Sequence, residues 1–182
     1  MTAPEICVRP RRDDEVVTLG RLLLEQRPDS RYPYRDPLPF PVEEFVRRRN
    51  ELAAWVAERD GELLGHVAVG RCTEPGQGDD AASVERLWER AHGRPWQQLG
   101  VVQVLFTALA GRGTGVGALL LDTAVAALRE RGLAPCLDVL PTHERAFAFY
   151  PRHGWVPAGS ARPDWLAPDA PDVVAMVLPA HR

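Results

Sequence analysis

Lysine is missing from this chain: all 22 basic residues are arginine. No Gly-Lys-Ser/Thr can therefore occur, which excludes a Walker phosphate loop. The arginines create no global basic field either, because the formal net charge is -3 and the pI is about 6.0. Nucleic acid is not an expected partner, and the cluster Arg47-Arg48-Arg49 reads as the solvated face of a helix. Cysteine is scarce and odd in number, and Cys7, Cys72 and Cys136 lack metal-ligand spacing, so each reads as a small buried hydrophobe in a reducing cytoplasm and no metal is expected. No apolar run reaches the ~18 residues of a membrane span, and Met1 to Glu5 lack a basic-then-apolar leader, so a soluble cytoplasmic protein without membrane partners is expected. A chain of 182 residues can bury a substantial core as one domain, 1–182.

Glycine, by contrast, is concentrated at one place. Gly111-Arg112-Gly113-Thr114-Gly115-Val116-Gly117 leaves the apolar run Leu99 to Leu109 and enters the helical run Val116 to Arg131. Four alternate residues without Cβ atoms let backbone N–H groups converge on an anion, and the first turn of the following helix adds unpaired donors and the positive end of its dipole. This pattern is suited to phosphate. Gly113 to Ala118 also fits the dinucleotide fingerprint G-x-G-x-x-A, with Asp138 at about the right distance to meet a ribose. The residues from Ala118 to Arg182 are expected to be too few for the rest of a doubly wound dinucleotide domain. A ligand-free glycine turn is the remaining reading of the loop.

Further on lies Ala146-Phe147-Ala148-Phe149-Tyr150-Pro151-Arg152-His153-Gly154-Trp155. The spacing Arg112-x-x-Gly115-x-Gly117, followed by this stretch in the same order and separated by one helix and one strand, resembles the GCN5-related N-acetyltransferase (GNAT) family over roughly the last half of the chain. The resemblance implies an α/β fold, a single mixed, mostly antiparallel twisted central sheet flanked by helices, as in acyl-CoA N-acyltransferases. It also implies transfer of an acetyl group from acetyl-CoA to an amine of a small molecule or peptide. By the same resemblance, Leu105, Phe106 and Thr107 pair with the pantetheine amides, and Arg112, Gly113, Thr114, Gly115, Val116, Gly117 and Ala118 hold the pyrophosphate. His143, Ala146 and Phe149 fall within the second cofactor-binding stretch, and Tyr150 protonates the leaving thiolate.

Two positions depart from the family pattern. His143 stands where many members have asparagine, which puts its polar contact to the cofactor in doubt. Val102 stands where many have a glutamate base, so the base is unassigned; Asp138 is a candidate, and a strand carboxylate can equally accept a structural hydrogen bond. A catalytically weak acyl-CoA-binding sensor or interaction module is therefore the alternative to an enzyme.

Read in order, Ile6 to Arg9 predicts a strand, and Asp13-Asp14 open a helix through Leu24. Five prolines between Arg27 and Pro41 deny that segment regular structure and leave Tyr32, Tyr34 and Phe40 on a loop, where they either wall the acceptor site or cover the core edge. Val42 to Leu52 predicts a helix, and Trp55 to Arg59, Asp60-Gly61 and Leu63 to Val69 predict a hairpin. His66 on its second strand reads first as a partly buried structural residue and second as a proton carrier facing the substrate. Residues 72–98 read as an insertion: a polar loop, then an amphipathic helix over Ala81 to His92 that shapes the acceptor pocket or a homodimer contact. Cys136 to Leu140 predicts a strand, Pro141-Thr142 leads into a helix ending near Tyr150, and Gly154 to Val156 with Val173 to Leu178 supply the last strands.

Overall fold

A computed structural model describes residues 5–76 and 83–180. Seven strands form one sheet in the order β1-β2-β3-β4-β5-β7-β6, with antiparallel pairs β1–β2, β2–β3, β5–β7 and β6–β7 and a parallel pair β4–β5. They span β1 (Cys7–Pro10), β2 (Glu51–Arg59), β3 (Glu62–Arg71), β4 (Leu99–Thr107), β5 (Ala134–Val139), β6 (Val156–Ala161) and β7 (Val173–Val177). The helices are α1 (Val16–Ser30), α2 (Val42–Val46), α3 (Val84–His92), α4 (Val116–Glu130) and α5 (Glu144–Arg152). This is the expected mixed, mostly antiparallel sheet with helices. No helix among the described residues is long and apolar enough to cross a membrane. The chain divides into two compact units, Met1–Gly70 with Val102–Ala127, and Arg71–Val101 with Leu128–Arg182.

In the first unit α1 buries Val16, Leu19, Gly20, Leu23 and Gln26, a helical stripe that packs with Phe45, Val46, Val56, Val104 and Phe106. The helix does not stop near Leu24. It runs to Ser30 with Pro28 in its last turn, and side-chain bonds tie that end to its own chain and to the following loop: Gln26 Nε2 donates to Leu23 O (2.8 Å) and Tyr32 O (2.6 Å), and Arg27 Nε to Pro33 O (3.1 Å). Arg31, at φ 60, then ends it by donating its N–H to Arg27 O.

The predicted helix Val42 to Leu52 is also corrected. It ends at Val46, and Glu51 already pairs with Gly70 of β3, so the sheet register claims residues that helical spacing would have kept. Arg47 to Arg49 consequently follow the helix: Arg47 pairs with Asp13, and Arg48 lies 4.2 Å from the centre of the Phe45 ring. The hairpin turn is as expected, with Asp60 at φ 51 and Gly61 at φ 83, the left-handed pair of a tight two-residue turn.

The second unit packs α3 on β5, β6 and β7. Ser83 Oγ caps the helix by accepting from Arg86 N, Leu87 and Trp88 are buried, and Trp88 Nε1 donates to Leu137 O at 3.1 Å. The expected start of this helix, Ala81-Ala82, lies outside the described residues, as does most of the polar loop before it. Helix α5 continues through Pro151 to Arg152, two residues beyond Tyr150, and β6 starts at Val156 so that Gly154 and Trp155 precede it. Cys72 and Cys136 are buried, and burial pushes both thiols up, Cys72 to about 12. Cys7 is exposed on β1, the strand at the end of the sheet order, and not buried as expected.

Candidate functional site

The glycine loop begins where β4 ends. Ala108 N donates to Leu64 O at 2.9 Å, a 3₁₀ turn spans Leu109–Gly111, and a Cβ on Gly111 would overlap the Leu64 carbonyl, so the loop is seated directly on β3. Gly113 (φ 72) and Gly115 (φ 84) are left-handed, a conformation a side chain would strain, and an added Cβ at either would meet no atom within 4 Å. Thr114 Oγ1 donates to Gly111 O at 2.6 Å, and Ala118 N and Leu119 N both donate to Gly115 O, starting α4. Among the described residues, the backbone N–H groups of Gly113, Thr114, Gly115, Val116 and Gly117 have no acceptor. Consecutive orphan donors with open space before them, at the positive end of a 15-residue helix, can hold an anion. The Arg112 guanidinium does not join them in this structure: Nη1 lies 2.6 Å from Asp29 Oδ2 and Nη2 3.4 Å from Gln26 O, at the end of α1.

Upstream in the same unit are Leu105, Phe106 and Thr107, preceded by an irregularity that the sequence does not signal. Val104 sits in β4 at φ 49, a conformation that a β-branched residue adopts at a cost on the order of 1–3 kcal/mol. Its carbonyl oxygen is 2.9 Å from His66 Nδ1, while His66 Nε2 is 3.2 Å from Arg11 Nη1. A guanidinium only donates, so Nε2 accepts and the ring proton sits on Nδ1, donated to Val104 O. Arg11 is itself fixed by Glu51, at 3.0 Å and 2.6 Å, and by Val46 O at 3.3 Å. His66 has no exposed surface, and burial lowers its pKa to about 3. Its reading as a proton carrier is thereby corrected: both ring nitrogens are engaged and the ring stays neutral.

Tyr32 meets the Phe45 ring edge-on at 5.6 Å and packs with Phe40 against the apolar core of this unit, while Tyr34 is half-buried on the same loop. Val102 is a buried aliphatic residue of β4. A cavity of about 610 Å³ adjoins Ala108 to Ala110 at the entry to the glycine loop. Its wall includes Arg9, held by Glu58 and by Glu15 at 2.6 Å, and hydrogen bonding from Arg9 lowers the Glu15 carboxyl to about 2.

The second unit carries Asp138, exposed on β5 opposite Ala175, and the α5 residues. His143 is a buried residue at the start of α5 and accepts the Phe147 N–H at its carbonyl (2.8 Å). Ala146 and Phe149 are half-buried; Phe149 lies edge-on to Tyr150 at 5.5 Å, and Tyr150 edge-on to Trp155 at 6.0 Å. Tyr150 is thus buried in an aromatic group. The structure therefore brings His66 against Val104 and Phe106, and groups Phe149 and Tyr150 with Trp155, while Asp138, on β5, is not a member of that aromatic group. Arg11, Glu51 and Val104 were not singled out from sequence; an arginine after Pro10 and a valine in an apolar run carry no local mark of their roles.

The model of the Acetyltransferase (GNAT) family matches residues 19–155. Among solved structures, a GNAT-family acetyltransferase from Staphylococcus aureus is similar with 16% identity and a TM-score of 0.65, over 96% of this chain and 100% of its own. The ribosomal-protein-S18-alanine N-acetyltransferase of Escherichia coli is similar with 16% identity and a TM-score of 0.61, over 96% and 94%. The ribosomal-protein-alanine N-acetyltransferase of Brucella melitensis is similar with 18% identity and a TM-score of 0.64, over 94% and 98%. At these identities the likeness is one of fold. Sequence comparison with curated proteins gives no match.

Proposed function

The chain belongs to the Acetyltransferase (GNAT) family, and from that premise we propose that it transfers an acetyl group from acetyl-CoA to an amine of a small molecule or peptide in the cytoplasm. The observation that carries this reading is the glycine loop, with its unpartnered N–H groups from Gly113 to Gly117 and open space over Gly113 and Gly115. Acetyl-CoA, when bound, supplies a thioester open to attack by a neutral amine.

In this reading the N–H groups of residues 113–117, at the start of α4, hold the pyrophosphate, with the Ala118 backbone closing the turn. The backbone of Leu105, Phe106 and Thr107 pairs with the pantetheine as an added strand does. His143, Ala146 and Phe149 contribute to the cofactor side of the second stretch, and Tyr150 holds the proton that meets the departing sulfur. Tyr32, Tyr34 and Asp138 remain the proposed acceptor-side residues, and 72–98 is taken as an insertion within one acyltransferase domain. Val102 cannot accept a proton, so the amine is deprotonated by water or by another group.

Isothermal titration with acetyl-CoA and with NAD, followed by thiol release over a panel of amines, tests this. Micromolar acetyl-CoA binding and amine-dependent thiol release are expected; binding of NAD in its place would overturn the reading. The buried aliphatic Val102 favours one alternative, a catalytically weak acyl-CoA-binding sensor or interaction module. Acetyl-CoA binding with no thiol release over the whole panel would select it.

A further inference from the structure

We propose that His66, held by Arg11, is a positioning residue for the donor site: its ring N–H fixes the left-handed turn at Val104 and so sets where the backbone of Leu105 to Thr107 lies. This rests on the donor-site reading above.

A valine in a strand relaxes toward extended backbone, because φ 49 brings its branched side chain against its own main chain. Two states of this segment therefore compete. In the observed one the Val104 carbonyl meets the buried Nδ1–H of His66. In the extended one that carbonyl turns away and leaves a buried donor without a partner, which is costly in an apolar surrounding. The His66 ring also packs against Phe106, with centroids 5.9 Å apart, so the one side chain touches the residues on both sides of Leu105.

The ring in turn cannot rotate or change tautomer freely. Arg11 offers only donors, so Nε2 must accept and Nδ1 must carry the proton, and Arg11 is fixed by two bonds to Glu51 and one to Val46 O. The low pKa agrees with a ring that stays neutral and keeps this polarity. A side chain that only filled volume would need none of these directed bonds. The clamp selects one backbone state for the three residues whose peptide groups are proposed to meet pantetheine.

Isothermal titration of acetyl-CoA into wild type, His66→Leu, His66→Phe and His66→Gln tests this. Leu and Phe retain bulk but no ring N–H, and about a tenfold or greater loss of affinity is expected from the folded fraction of either. Glutamine can donate to Val104 O and accept from Arg11, and it should restore most of that loss. Wild-type affinity in a folded Leu or Phe variant, or a Gln variant no better than Leu, would overturn the clamp. Nitrogen-15 NMR of the wild-type histidines tests it without a variant: His66 should be the Nδ1–H tautomer, and its ring resonance should move as acetyl-CoA saturates the protein. The opposite tautomer, or a resonance unmoved at saturation, equally overturns it. A wild type that binds no acetyl-CoA removes the donor-site reading and the clamp with it, whereas a binding wild type with insensitive variants removes the clamp alone.

Discussion

Arg112 Nη1 lies 2.6 Å from Asp29 Oδ2, so the first residue of the glycine signature is tied to the last turn of α1. The carboxylate is more than half exposed and the guanidinium about a quarter exposed, a pair worth well under ~1 kcal/mol to stability. Its consequence for an incoming phosphate is larger than for the fold. Asp29 neutralises the nearest cation and adds a negative charge beside the donors. Asp29→Asn should leave thermal stability nearly unchanged and tighten acetyl-CoA by a few-fold at low salt, a gain that shrinks once the Debye length falls below ~10 Å. Titrations at two salt concentrations check this, and unchanged or weaker affinity at low salt would refute it.

Gly115 makes the second expectation. At φ 84 it has open space where a Cβ would point, so a substitution there strains the backbone without colliding with the core. Gly115→Val should lose acetyl-CoA binding by about a hundredfold or more as the loop opens to a conformation valine accepts, while circular dichroism stays that of the wild type. An unaltered affinity in the folded variant would remove the loop from the donor site.

What could be read ahead of the structure follows from how local each determinant is. The Asp60-Gly61 turn, the span of α4 up to the left-handed Gly132 and the glycine loop are written in a few adjacent residues, and each lies where expected. The extension of α1 to Ser30 depends on Gln26 reaching the Tyr32 carbonyl, and the early end of α2 depends on Glu51 pairing with Gly70. Neither partner is adjacent in sequence. The same holds at the candidate site: Arg11, Glu51, His66 and Val104 come from four segments, and no pattern within any one of them marks the meeting. Valine at 104 even argues locally for the extended backbone that it does not adopt.

His66 also sets a pH dependence of stability. Its pKa is lowered to about 3 in the fold, first by burial, from 6.5, so the unfolded chain binds the extra proton as pH falls below 6.5. Stability due to this group is therefore whole above about pH 6.5 and is lost progressively toward pH 3. One such proton costs about 2 kcal/mol between pH 6.5 and 5. Glu15, lowered to about 2 first by its bond to Arg9, loses its contribution only as pH drops from about 4.5, outside this window. His92, also lowered by burial, shares the window, so the wild type must be compared with His66→Gln. Urea unfolding at pH 7 and pH 5 should show the variant losing about 2 kcal/mol less than the wild type; equal losses would show that the imidazole is not held neutral.

Tyr150 carries the last expectation. The ring is buried, meets Phe149 and Trp155 edge-on, and lies one position before Pro151 in the last turn of α5. In the proposed reaction its hydroxyl faces the sulfur that leaves. A phenol has an ordinary pKa near ~10 and a thiol near ~8.5, so full proton donation to a formed thiolate is uphill by about 1.5 units, on the order of 2 kcal/mol. Complete transfer before departure is not required, because a hydrogen bond that strengthens as charge gathers on sulfur lowers the same barrier. Tyr150→Phe keeps the ring and both edge contacts, so acetyl-CoA affinity should change little while turnover under conditions where chemistry limits falls about a hundredfold, the usual effect of losing a positioned general acid. Measuring kcat and the acetyl-CoA Kd on the same preparation separates the two effects. A variant with near wild-type kcat would make Tyr150 a core aromatic and leave the thiolate to take its proton from water.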